Sequence, residues 1–113
     1  MFDGAKKNAD GILNVTCEDL LKNLDAVSLV DVRREEEFHG ELGHIQGAVL
    51  STLETKFSED VKRLDSTKPI VFICRSGVRS LKASAIAKEA GLSDVYNLEG
   101  GMLRWNELGY KVD

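Results

Sequence analysis

Ile70-Val71-Phe72-Ile73-Cys74-Arg75-Ser76-Gly77-Val78-Arg79-Ser80 runs from four β-prone residues through a cysteine into a polar loop. Pro69, the only proline, opens this segment, as suits the residue before or at the start of a strand. From Val78 to Ala90 the pattern turns helical. Ala83, Ala85 and Ala87 are small enough for close packing on a sheet, and Gly91 stands where a helix C-cap glycine belongs. The stretch therefore predicts a buried strand, a short loop and a helix.

The same alternation extends in both directions. Downstream, Val95 to Leu98 predicts a strand, Gly100-Gly101 a turn, and Met102 to Leu108 a closing helix. Upstream, Phe57, Val61 and Leu64 recur at helical spacing on a polar segment, and Ala48 to Leu50 forms a brief strand. Gly40 and Gly43 break a short acidic stretch, Arg34 to Phe38, of one or two helical turns. Val27 to Val32 is rich in β-branched residues and predicts a buried strand. Ile12 to Val15 is an apolar run followed by Thr16-Cys17-Glu18-Asp19, a capped helix start. Thr16 is placed to accept from the amide three residues on, and Leu20, Leu21 and Leu24 supply an apolar face. Strands alternating with helices predict an α/β domain around a mostly parallel central sheet flanked by helices.

The 113 residues suit one domain, and no linker-like stretch divides them. Apolar residues make up 42% and charged residues 30%, too apolar a mixture for a disordered chain. A net charge of -4 and 6% aromatics, not interleaved with basic runs, argue against a nucleic-acid partner. No apolar run is long enough to cross a bilayer, and the polar N-terminus lacks the pattern of a secretory signal. A cytoplasmic or matrix-type compartment is the expectation. Cys17 and Cys74 allow one disulfide, but a reducing compartment with one working thiol fits the missing signal better.

Three physical points converge on Cys74. The carboxyl end of a parallel strand is where α/β sheets place their ligands. Backbone amides leading into a helix N-terminus form a nest for an anion. Arg75 and Arg79 add positive charge, and Gly77 permits a backbone conformation closed to most residues. A free cysteine titrates near about 8.5, and such surroundings lower it to roughly 3.5–7.5. The thiolate is the nucleophile, so the loop predicts reactivity as well as binding. Core packing alone accounts for a cysteine that ends a strand, but not for the Arg-Ser-Gly-x-Arg-Ser that follows.

Four landmarks, in order, resemble a single-domain rhodanese, a sulfurtransferase module, over nearly the whole chain. They are Asp31-Val32-Arg33 after a strand, Gly43-His44-Ile45-x-Gly47-Ala48, the Cys74 to Ser80 loop, and Leu98-Glu99-Gly100-Gly101-x-x-x-Trp105. The ending Gly109-Tyr110-x-Val112 fits as well. The resemblance implies a three-layer rhodanese domain over 12–113, with residues 1–11 as a flexible lead-in outside it. It also implies ping-pong sulfur transfer, in which Cys74 takes the outer sulfur of a donor such as thiosulfate and passes it to cyanide, a thiol or a protein. On that reading Cys74 is the nucleophile, and Arg75, Ser76, Gly77, Val78, Arg79 and Ser80 hold the anion. No metal or organic cofactor is required. With no second rhodanese half to cover it, the site is expected to be open and suited to docking a partner such as thioredoxin. Monomer is the default for this size.

Related cysteine phosphatases and arsenate reductases carry Cys-x5-Arg, whereas Cys74 to Arg79 is Cys-x4-Arg. The shorter cradle suits one sulfur atom better than a tetrahedral oxyanion, and the loop has no acid residue. Non-catalytic rhodanese-like binding modules commonly lack the cysteine that this chain keeps. Gln46 and Glu35 stand where the family often has proline, a departure that bears on loop stiffness. Among other residues, Asp31 and Arg33 are read as an ion pair tying the post-strand loop, and His44 as structural by the family pattern. Cys17 is read as an incidental surface cysteine, Trp105 as core, and Arg34 to Glu37 as a solvated face.

Overall fold

The computed structural model describes residues 2, 4–8 and 11–113. Five helices and six strands follow in order: β1 (Lys6–Lys7), β2 (Leu13–Val15), α1 (Cys17–Leu21), β3 (Ser28–Asp31), α2 (Glu35–Phe38), β4 (Val49–Leu50), α3 (Phe57–Asp60), β5 (Ile70–Ile73), α4 (Val78–Glu89), β6 (Val95–Leu98) and α5 (Gly101–Glu107). Short 3-10 turns at Leu24–Ala26 and Val61–Arg63 complete the described elements. The strands form one sheet in the order β1-β2-β6-β5-β3-β4, with every pair parallel except β1 with β2.

The period-2 alternation of β5 explains the three layers. Val71 and Ile73 face one core, shared with Cys17 and Leu20 of α1 and Met102 and Trp105 of α5. Ile70 and Phe72 face the other, shared with Phe57 of α3 and Ala83 and Ala87 of α4. Cys74 continues the second face. The helices after β5 and β6 thus cover opposite faces of the sheet. Both begin at its carboxyl edge, where a crevice for chemistry opens in such sheets.

Most of the expected elements are present. Thr16 caps α1 by accepting from the Asp19 amide at 3.1 Å, and Gly91 follows α4 with φ +99°. Leu21 is the exception on the α1 face, at 41% exposed, because the helix ends after five residues and leaves it pointing outward. The lead-in expected at 1–11 differs at its described residues. Lys6 and Lys7 pair with Asn14 and Leu13, and Phe2 is buried with its ring edge-on to Tyr96, 4.8 Å between centroids. An aromatic ring that finds an apolar surface gains enough by burial to dock a short segment. The rest of that lead-in, Met1, Asp3, Ala9 and Asp10, lies outside the described residues. Among the described residues no helix is long and apolar enough to cross a membrane.

Arg33, 1% exposed, is the hub behind the site. Its guanidinium donates to both Asp31 carboxylate oxygens at 2.8–3.2 Å, to the Glu37 carbonyl at 3.2 Å and to the Gly43 carbonyl at 2.7 Å. A buried cation is tolerated only when so many of its donors are matched. The tie expected between Asp31 and Arg33 is present, and it also fixes α2 against the Gly43 turn. His44 is structural, its ring stacked on Phe38 at 3.8 Å and its Nδ1 3.0 Å from the Phe38 carbonyl.

Candidate active site

Cys74 follows β5 directly and is 1% exposed. The Gly77 amide donates to its Sγ at 3.0 Å, and the Ser80 hydroxyl lies 3.2 Å from the same sulfur. Gly77 has φ +101°, a conformation that returns the chain toward the sulfur and that side chains rarely adopt. Burial opposes ionisation of the thiol. The Ser80 hydroxyl and the amides of Ser80, Gly77 and Ser76 outweigh it, so the Cys74 pKa lies below that of an ordinary cysteine. The N-terminus of the 12-residue α4 points the same way. The group this nest faces is the Cys74 sulfur itself. The Cys74 side chain is buried, with Arg75, Ser76 and Val78 exposed around it.

The cradle is supported from behind. The Met102 and Leu103 amides of α5 donate to the carbonyls of Cys74 and Arg75 at 2.9 and 3.0 Å. These bonds require Gly101, where a Cβ would stand 2.5 Å from the Cys74 oxygen and 2.6 Å from that of Arg75. The fourth sequence landmark is therefore the prop of the third.

Of the loop residues expected to hold the anion, Ser76, Gly77 and Ser80 converge on the sulfur. Arg75 is exposed and has no ion pair among the described residues. Val78 begins α4 with 73% of its surface exposed. Arg79, expected as a free cation for the donor, is instead gripped by Glu37. Its two terminal nitrogens donate to the two carboxylate oxygens at 2.6 and 2.7 Å. The hydrogen bonds from Arg79 hold the Glu37 carboxyl down to about 2, and the Arg79 pKa is raised in turn. The acidic run is thus not only a solvated face, because Glu37 turns toward α4.

Two asparagines escaped the sequence reading. Asn97, buried on β6, sets its Oδ1 against the Ser80 hydroxyl, where it competes with Cys74 Sγ for that one proton, and donates from Nδ2 to Asn14 Oδ1 at 2.9 Å. The signal was available: a polar residue inside the buried Val95–Leu98 strand needs a partner. Cys17 is the clear correction. It is fully buried rather than on the surface, with its Sγ near the carbonyls of Glu99 and Gly101, and burial followed by the Glu18 charge pushes its pKa up to about 11. The thiol sits on the inner side of α1, where a small apolar group packs well. Both cysteines are free. A cleft of about 830 Å³ lined by Leu24, Val27, Val49 and Leu64 contains none of the loop residues.

Ser80→Ala tests the donor set. Without the hydroxyl, Cys74 ionises at higher pH, and its alkylation at neutral pH slows by about tenfold, the weight of one hydrogen bond to a charged group. Rates read across a pH series place the inflection above that of the parent; an unmoved inflection would assign the lowered pKa to the amides alone.

The Rhodanese-like domain family model matches residues 16–108. Thiosulfate sulfurtransferase GlpE of Shewanella oneidensis is 34% identical over 82 residues, 73% of this chain and 78% of that protein. Among solved structures, a rhodanese-related protein from Thermoplasma volcanium aligns with TM-score 0.80 at 30% identity, covering 88% of this chain and 96% of the other. A Rhodopseudomonas palustris protein of unknown function, described as a possible tyrosine phosphatase, aligns with TM-score 0.80 at 25% identity over 92% and 86%. A cysteine held by loop amides at the end of β5, with this family match around it, leaves one assignment: the chain belongs to the rhodanese-like domain family.

Proposed function

We propose that the protein is a sulfurtransferase that carries sulfane sulfur on Cys74, with thiosulfate as a donor and cyanide, a thiol or a protein such as thioredoxin as acceptor. The observation that carries this reading is the sulfur of Cys74 held by the Gly77 amide and the Ser80 hydroxyl in a Cys-x4-Arg loop. In the first step the Cys74 thiolate attacks the outer sulfur of thiosulfate. A new S–S bond forms, the old one breaks, and its electron pair leaves with sulfite. The product is a persulfide anion, whose charge the Ser76, Gly77 and Ser80 donors suit as they suit the thiolate. In the second step cyanide attacks the outer sulfur and leaves as thiocyanate, returning the Cys74 thiolate. Neither step calls for a base where the loop donors lower the Cys74 pKa and favour its thiolate. The similarity to a thiosulfate sulfurtransferase supports the donor, and two free cysteines support a reducing compartment such as the cytoplasm.

Phosphate-ester hydrolysis is the second reading, favoured by the likeness to the possible tyrosine phosphatase. Against it, the loop is the shorter Cys-x4-Arg, and Arg79 is bound to Glu37 rather than free for a tetrahedral oxyanion.

Intact mass after incubation with thiosulfate tests the proposal. One added sulfur atom is expected on the parent and on Cys17→Ser, and cyanide should remove it. An unmodified mass on both would discard thiosulfate, and hydrolysis of an aryl phosphate by the same sample would shift the assignment to the second reading.

A further inference from the structure

One of the two loop cations beside the working sulfur is already neutralised. Arg79 is close enough to Cys74 that the thiolate charge raises its pKa, yet both its terminal nitrogens are engaged by Glu37 from α2, and Glu54 adds a second carboxylate to its surroundings. The carboxylate is not a casual neighbour. Arg33, pinned by Asp31, donates to the Glu37 main-chain carbonyl, and the Glu37 side chain also accepts from the Arg34 amide at 3.2 Å. The α2 turn is thereby built to present this side chain to α4. The remaining loop cation, Arg75, is exposed.

Resting on the sulfur-transfer reading, we infer that Glu37 is a specificity-determining residue that biases the Cys74 site against dianionic donors such as thiosulfate and toward donors of lower charge, namely persulfides of thiols. A donor brings its charge to a site where the Arg79 guanidinium is offset by the Glu37 carboxylate. The Coulomb cost rises in proportion to the donor's charge, so the factor paid by a dianion is the square of that paid by a monoanion. Transfer from a persulfide balances as simply as from thiosulfate. The Cys74 thiolate takes the outer sulfur of RSS⁻, the S–S bond of the donor breaks, and RS⁻ leaves with the electron pair.

The experiment compares the parent, Glu37→Gln and Glu37→Asp with two donors, thiosulfate and the persulfide of 2-mercaptoethanol, reading kcat and KM for loading of Cys74. A half-exposed ion pair exerts about threefold per unit of charge, so Glu37→Gln should raise kcat/KM roughly tenfold for thiosulfate and about threefold for the persulfide. The gain should appear in KM, since the lost repulsion acts on the bound donor before and during transfer alike. Glu37→Asp keeps the charge and should keep the parent's ratio between donors. Equal changes for both donors, or a fall with thiosulfate in Glu37→Gln, would overturn the inference and leave Glu37 as a brace for Arg79. Absence of a Cys74 persulfide from either donor in the parent would instead overturn the sulfur-transfer reading, so the two failures are distinct.

Discussion

Cys74→Ser should turn over thiosulfate and cyanide at least about 10³-fold more slowly than the parent while folding normally. The substitution replaces one atom within a preserved cradle, so the Gly77 amide and the Ser80 hydroxyl still find an acceptor and the melting temperature should move little. What is lost is the charge. A serine hydroxyl stays protonated at neutral pH and cannot carry sulfane sulfur through a reversible S–S bond. Initial rates beside a thermal melt separate this loss from misfolding. Retained turnover would transfer the role to Cys17, a demanding alternative for a thiol whose burial pushes its pKa up to about 11.

Gly101→Ala should be the most damaging substitution that leaves every reacting atom in place. At φ +55° an alanine is strained by about 1–2 kcal/mol on backbone grounds alone. Its Cβ would also stand 2.5 Å from the Cys74 carbonyl oxygen, so α5 or the cradle must withdraw. Withdrawal breaks the Met102 and Leu103 bonds that hold the Cys74 and Arg75 carbonyls, and the loop donors lose their aim at the sulfur. Stability should fall by roughly 3 kcal/mol and turnover by about 10²-fold, the usual penalty for a displacement near 1 Å. Gly109→Ala is the comparison. Its φ of +73° imposes similar strain, but no atom lies within 4 Å of the new methyl. It should therefore destabilise without slowing the folded enzyme. If both variants lost activity equally, strain rather than the prop would be responsible.

The layers were legible in the sequence because they follow from patterns within single segments. The alternation of Ile70 to Ile73, the small residues of Val78 to Ala90 and the Thr16 cap each declare an element without reference to the rest of the chain. Cys74, Gly77 and Ser80 were legible for the same reason, since the donors and the sulfur they hold lie within seven consecutive residues. What stayed hidden depends on distant partners. Glu37 reads as one acid among several until α2 is set beside α4, 42 residues along. Asn97 gains its meaning from Ser80 and Asn14, on two other elements. Cys17 looked exposed because a five-residue helix gives too short a pattern to tell its inner face from its outer one. The docking of Phe2 likewise depends on Tyr96 of β6.

The lone tryptophan belongs to the same helix that props the cradle. Trp105 is 1% exposed, its Nε1 donates to the Lys111 carbonyl at 3.0 Å, and its ring meets Tyr110 edge-on. Its emission therefore comes from one environment only, and a red shift on loosening has no other indole to dilute it. Because Met102 and Leu103 lie within one turn of that ring, the light the protein emits is also a gauge of the footing beneath its sulfur.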